Sequence, residues 1–522
     1  MHAKYNNSPK NKSIPIMEIL NLASFMQLSS LTYLFLFLTP LFLVFITQKY
    51  YYKSSIKNLP PGPRPLPIIG NIHQLGKNPH ISTAMLAKKY GPLISLRLGS
   101  RLLVVATSPE AAKQILKAQD RHLSGRATPD AIVLNPNDHN VIWAYDCNQN
   151  WRSLRTLYRA DLFSPKAIEA QADIRNEKLA QMVDFLNTKQ GKVVQIEDVV
   201  FTTMFNTLSN ILFSTDLLNL NNEHGTAHGL KWAIQKILEN TMAPNVTDFF
   251  PVIGGLDLQG LRKENLKYLQ VVSSFIDPII NQRRDRMASS KVTGVTEEKD
   301  FLDRMLENNF PNAQINILIL ELFIAGTDSV TSTTIWAMAD LIKNKGILEK
   351  ATEELKREIK SSSMIMKSDL NKLTYFNACI KETLRLHPVV PLLLPRNAVE
   401  TCEVMNYTIP ENSSIWVNIW AISRDPNVWE DPNTFKPERF LGSNVNYTGH
   451  DFEFTPFGGG RRMCPGMPSG IKSLQTTLAT LILGFDWVLP NNEDPTKLDM
   501  NENFGLTLQK EKPLELIFKC KE

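Results

Sequence analysis

The sequence predicts a mainly α-helical fold, and three observations carry that prediction. From residue 107 to about Gln475 most segments read as helices joined by short loops. One of them, Asn312 to Lys343, is a single long apolar run that stops near Gly346. The strand signal is a hairpin early in the chain, Leu93–Leu98 and Leu102–Ala106 around Gly99-Ser100. Of 522 residues, 43% are hydrophobic and 21% charged, as in an ordinary packed interior. The net charge is +5 with no basic cluster interleaved with aromatics, which argues against a nucleic-acid surface. Cys147, Cys379, Cys402, Cys464 and Cys520 are odd in number and lack CxxC spacing. They argue against a disulfide framework or zinc site and fit a reducing compartment.

At the N-terminus, Ile19 to Gln48 carry no charge and Leu28 to Ile46 are dominated by Leu, Phe, Ile and Val. A spanning helix needs roughly 20 such residues, and the kink at Pro40 is one that membranes tolerate. A cleaved signal peptide competes, but its apolar core runs to roughly 7–15 residues and no small-residue cleavage site follows here. The segment therefore reads as an uncleaved anchor over residues 28–48, after a flank of 1–27. Lys49, Lys53 and Lys57 follow it while Lys4, Lys10 and Lys12 precede it, so charge alone leaves the orientation open. A start at Met17 would remove the preceding lysines and favour a cytosolic catalytic domain. Residues 49–71 are basic and proline-rich: prolines between Leu59 and Gly70 fix φ and remove donors, so an extended spacer is expected. A proline-rich ligand for a partner module is the alternative. One domain, 72–522, follows.

Within it, Trp151 and Arg155 share a helix face at i and i+4, where a solvated basic face is the ordinary reading. The charged run Arg283 to Lys299 reads as an exposed loop. The middle of the long helix, Ala325-Gly326-Thr327-Asp328-Ser329, is odd. A mid-helix glycine costs about 1 kcal/mol against alanine, and a buried carboxylate costs more unless hydrogen-bonded. Hydroxyls bonding back to the chain can open a helix locally and leave room for a ligand and water. Glu382 and Arg385 lie at i and i+3, ordinarily a surface pair.

Near the C-terminus stands Phe457-Gly458-Gly459-Gly460-Arg461-Arg462-Met463-Cys464-Pro465-Gly466. Backbone N–H groups of a glycine-rich loop, with the helix that follows, prepare Cys464 as a thiolate, and arginines suit carboxylates. A lone cysteine is more often a small buried hydrophobe. Here that reading must also account for Phe457, both arginines and Gly466.

The pattern F-x-x-G-x-R-x-C-x-G resembles the haem-binding loop of the cytochrome P450 family. Signatures of that family run from residue 59 to beyond 470. The resemblance implies a large helical domain with a smaller β-rich lobe, preceded by one transmembrane helix, and a haem b (iron protoporphyrin IX) with Cys464 as its iron ligand. It further implies cofactor contacts from Trp151, Arg155, Arg396, Phe457, Arg462 and Gly466. Asp328 and Ser329 become the catalytic acid–alcohol pair. Serine stands where the family has threonine, which implies looser control of proton delivery and some uncoupling. Glu382, Arg385 and Arg439 become a buried structural cluster. Ala131–Leu134, Leu322, Ala325, Val389–Leu394 and Phe504–Thr507 line an apolar pocket, for a small substrate that is neutral or carries one amine. Glu321 or Asp328 could meet that amine, unless both are committed elsewhere.

The implied partners are an NADPH-cytochrome P450 reductase, facing Arg152 and Arg159, and the endoplasmic reticulum membrane. The anchor is single-pass with the catalytic domain cytosolic. Leu123-Ser124-Gly125-Arg126, Glu400–Pro410 and Phe504–Leu508 are similar to plant microsomal members that hydroxylate N-methylcoclaurine, couple phenols, rearrange littorine or hydroxylate geraniol. Three classes stay open: a reductase-fed monooxygenase, a haem-thiolate isomerase not using O2, and a non-enzymatic haem carrier. The acid–alcohol pair and the anchor favour the first.

Overall fold

The computed structural model describes residues 32–40, 42, 58–133, 140–220, 227–293, 299–359, 367–370 and 372–521. It forms two units, Met1–Lys57 with Leu66–Ile68, and Asn58–Pro65 with Ile69–Glu522. In the first, residues 32–40 and 42 are helical and exposed. The flank 1–27, the rest of the expected anchor 28–48 and the stretch 49–57 lie outside the described residues. Among the described residues one helix is long and apolar enough to cross a membrane, Asn312–Lys343, and most of it is buried inside the second unit.

Residues 58–65 of the proline-rich stretch open the second unit with neither helix nor strand, yet they are no free spacer. Prolines keep their carbonyls, and those of Pro60 and Pro61 accept from the Ser95 hydroxyl (2.6 Å) and N–H (2.9 Å). Strand β1 (Leu93–Leu98) pairs antiparallel with β2 (Arg101–Ala106), Leu93 opposite Ala106. β3 (Gly125–Arg126), β4 (Arg396–Asn397) and β5 (Ser414–Val417) complete a sheet in the order β1-β2-β5-β4-β3. Only its β2–β5 pair is parallel. This is the β-rich lobe.

The remainder is largely helical. The helices that build the site are α1 (Gln149–Asp161), α2 (Ile196–Phe213), α3 (Leu261–Thr293), α4 (Asn312–Lys343), α5 (Thr374–Leu386) and α6 (Met467–Gly484). Apolar on nearly every side, α4 is a core helix. Its first half packs Ile315, Leu318 and Phe323 into a cluster with Phe205 and Ile276. The second half packs Ile335 and Met338 with Phe376 and Leu478.

Two expectations are corrected. The run Arg283 to Lys299 is not a loop throughout, because α3 continues to Thr293. Its residues up to there include no glycine or proline after Pro278, so nothing ends the helix. Nor does α4 open at Ala325–Ser329. The hydroxyls of Thr327 and Ser329 do bond back, to Phe323 O and Ala325 O (each 2.6 Å), but the helix stays continuous.

On α5, Glu382 and Arg385 are fully buried. Arg385 grips both carboxylate oxygens (2.8 and 2.9 Å), Arg439 adds a bond at 3.0 Å and the Lys436 N–H another at 2.8 Å. The cluster thus ties α5 to the chain that leads into the cysteine loop.

Candidate active site

The cysteine loop is closed by the Cys464 N–H, which donates to Phe457 O (3.0 Å). Phe457 packs edge-on to Tyr447 at 5.7 Å and so fixes the start of the loop in the core. Gly458 and Gly460 take φ of 69° and 67°, where a side chain would be strained. A Cβ on Gly460 would also stand 2.1 Å from Leu116 O. Gly466 leads into α6, and a Cβ there would lie 4.0 Å from Cys464 Sγ and 3.6 Å from the Phe163 ring.

Cys464 is exposed, yet burial of its surroundings is the leading influence on its thiol. The sequence leads one to expect a prepared thiolate. In the structure burial pushes the thiol up, and the N–H of Gly466, the Arg155 guanidinium and the N–H of Met467 only partly pull it back. A cation at sulfur would be needed to hold it ionised.

Around this loop gather four arginines. Arg155 on α1 donates to Met463 O and stacks 5.3 Å from the Trp151 ring. Arg462 is buried, covers the other contact of that ring at 4.9 Å, and donates to Ser124 O, Val141 O and Ala144 O. Trp151 donates its indole N–H to the same Val141 carbonyl (3.0 Å). Arg396 donates to Gly459 O (3.0 Å) and Leu123 O (3.3 Å). Arg126, which the sequence reading did not select as a site residue, is the fourth. It lies opposite Arg396 in the β3–β4 pair and donates to Ile142 O and Leu394 O.

Like charges opposite each other in a sheet are destabilising. Burial pushes the Arg126 guanidinium well down, with Arg462 and Arg396 adding repulsion. Burial likewise lowers Arg396 to about 10, against the opposing pull of Asp120 at 3.7 Å. Backbone carbonyls are neutral acceptors, so the positive charge is under-compensated. Such a socket fits a ligand carrying carboxylates beside a metal at Cys464, as haem does with its propionates.

Along α4, Ala325 and Gly326 are exposed, between half-buried Ile324 and buried Thr327. Asp328 accepts from the Thr507 hydroxyl and from Gln509 Nε2 (3.1 Å), while Ser329 donates to Ala325 O. The acid and alcohol are thus engaged separately. Burial pushes the Asp328 carboxyl up, and the two donors oppose it. Glu321, about two turns earlier, is buried and accepts from the N–H groups of Val141 and Ile142, each at 3.0 Å. Burial raises it to about 7 against those two donors. Both acids named as possible amine partners are therefore committed. Of the expected pocket residues, Leu322, Val389, Leu392 and Thr507 are buried and Ala131 is held through its carbonyl by Asn265. Leu134 lies outside the described residues.

Comparison with known proteins agrees with this geometry. The cytochrome P450 family model matches residues 60–518. The chain is 45% identical over 482 residues to a probable (S)-N-methylcoclaurine 3'-hydroxylase isozyme 2 of Coptis japonica, covering 92% of this chain and 96% of that protein. It is 42% identical to corytuberine synthase of the same plant, covering 90% and 95%. Identity to cytochrome P450 76C2 of Arabidopsis thaliana is also 42%, covering 93% and 96%.

Proposed function

This chain belongs to the cytochrome P450 family and is a monooxygenase, and from that premise we propose that it oxidises a small, largely apolar alkaloid in plant specialised metabolism. The oxidation is a hydroxylation, the activity in one relative's name, or an oxidative coupling. Electrons come from NADPH through a cytochrome P450 reductase, and the anchor at 28–48 holds the protein to the endoplasmic reticulum with 72–522 in the cytosol.

Haem, when bound, supplies the iron that activates dioxygen. Cys464 ligates that iron through sulfur, with Phe457 and Gly466 holding the loop. Arg126, Arg155, Arg396 and Arg462 hold the propionates, and Trp151 orients Arg155 and Arg462 while fixing the Val141 carbonyl. The observation that carries this reading is the under-compensated arginine socket gathered around an exposed cysteine on a glycine-rich loop. Asp328 and Ser329 would hold and pass protons on the α4 side, Ser329 through a hydroxyl with more rotamers than threonine. With Glu321 and Asp328 engaged by the protein, the pocket binds by burying apolar area and favours a neutral ligand or an amine left unpaired.

The test is twofold. Cys464→Ala should abolish the red-shifted Soret band of the reduced, carbon monoxide-treated protein, and an intact band would overturn the ligand assignment. Microsomes holding the protein and a reductase, given NADPH and a panel of alkaloids and terpenoids, should oxidise an alkaloid. Turnover of terpenoids alone would overturn the substrate class.

A further inference from the structure

Strands β6 (Glu502–Asn503) and β7 (Gln509–Lys510) pair antiparallel, Glu502 opposite Lys510. The hairpin is pinned at both ends of its tip. Glu502 accepts from His80 (3.1 Å), Trp420 (3.0 Å) and Arg424 (3.2 Å). At Leu508 the N–H donates to Val389 O (2.7 Å), while the carbonyl accepts from Ser332 (2.8 Å) and Trp336 (2.9 Å) on α4. Between and just beyond those posts, Thr507 and Gln509 reach Asp328, one on each carboxylate oxygen. A half-buried acid is thereby held by two neutral donors on a pinned hairpin. The other charged groups that influence this region are Lys231, which favours ionised Asp328, and Glu197, which is coupled to Asp328 by repulsion.

We propose that Thr507 and Gln509 are positioning residues that keep Asp328 an ionised carboxylate in one orientation, so that the C-terminal hairpin governs when this acid can deliver a proton. The inference rests on reading Asp328 as the proton-delivering acid. Its physical basis is that donors to a carboxylate favour the charged form, and that a proton accepted while Thr507 stays in place is directed at the Thr507 oxygen. Release of the Thr507 contact frees the acid. Thr507 is itself among the expected pocket residues, so a ligand that shifts this side chain would change the readiness of Asp328. No bond is made or broken beyond the relay of one proton, from water to the Asp328 carboxylate and from that carboxyl to oxygen already reduced by the electrons the reductase supplies.

The experiment uses the haem-loaded full chain and two readouts. Infrared difference titration follows the protonated carboxyl band assigned to Asp328 by its loss in Asp328→Asn. Losing one donor to a charged group should make that carboxyl roughly tenfold easier to protonate, so its midpoint should rise by about one pH unit in Thr507→Val. Thr507→Ser keeps the hydroxyl and should keep the wild-type midpoint, and Gln509→Leu should shift it in the same direction as Thr507→Val. The second readout mixes dithionite-reduced protein with air-saturated buffer and follows the return of the oxidised Soret band. It should quicken several-fold in Thr507→Val and slow in Asp328→Asn. An unshifted carboxyl midpoint in both Thr507→Val and Gln509→Leu overturns the proposal. A wild-type return rate in Asp328→Asn overturns instead the reading of Asp328 on which it rests.

Discussion

Arg385 and Arg439 are buried against a carboxylate; Arg126, Arg396 and Arg462 are buried against backbone carbonyls. The first group is closed. Glu382 takes bonds from both guanidinium groups and a backbone N–H, so charge and hydrogen bonds are satisfied within the chain. The second is open. Its donors are occupied, but among the described residues its one ion pair is with Asp120, at 3.7 Å from Arg396, while Asp146 and Glu321 act on Arg462 only through space. Burying a cation is tolerated where a partner neutralises it, and is otherwise expensive. A closed cluster is therefore a structural part, and an open one marks where an anionic ligand completes the fold.

Removing the closed cluster's only anion gives the largest expected effect. Glu382→Ala leaves two buried guanidinium groups without their carboxylate, a loss of about 3–5 kcal/mol. The variant should accumulate little folded, haem-loaded protein, read from the carbon monoxide difference band per milligram of chain. A wild-type yield would erase the distinction between the clusters.

The open cluster should respond the other way round. Arg126→Leu removes one of several repelling cations, so the haem-free protein should melt close to wild type. Loss of one charge-assisted contact to the ligand, about 1.5–3 kcal/mol, predicts haem dissociation roughly 10- to 100-fold faster, measured by transfer to an excess of apo-globin. Equal dissociation rates would mean that Arg126 faces no anion.

The smallest effect sharpens the border between the two. Glu321 holds Val141, whose carbonyl serves Trp151 and Arg462, and its carboxyl sits near 7 in the fold. An acid raised on folding favours the native state while protonated. Its contribution is full below the unfolded value of about 4.5 and is lost as pH rises through about 7. Glu321→Gln should flatten the fall in Tm between pH 5 and 8. A wild-type slope in that variant would assign the pH dependence to other groups.

What was legible in the sequence was local or periodic. The bounds of α4, the hairpin β1–β2 and the cysteine loop each follow from spacing within one segment, and the structure has them as read. What was missed depends on register between distant segments. Arg126 becomes a site residue only because β3 pairs with β4 and sets it against Arg396. Gly125 was the available signal: a Cβ there would stand 2.6 Å from Asn397 O, so the glycine marks a close approach of two chains. The contact of Thr507 and Gln509 with Asp328 spans some 180 residues and has no local signature. The influences on the Cys464 thiol divide the same way, since N–H groups can be read from a loop but the burial that opposes them cannot.

The contact of Gly460 with Leu116 sets a rule for recombination. Residues Gln114–Ala118 form a π-helical turn, and Leu116 O stands where a Cβ of residue 460 would go, with Asp120 Oδ1 2.7 Å from the same point. Asp120 also receives the Arg461 N–H. The cysteine loop and residues 114–120 are thus one inheritable block, although about 340 positions separate them. A single crossover between residues 120 and 457 takes the two segments from different parents and puts this interlock at risk, whereas one that splits the chain elsewhere leaves it intact.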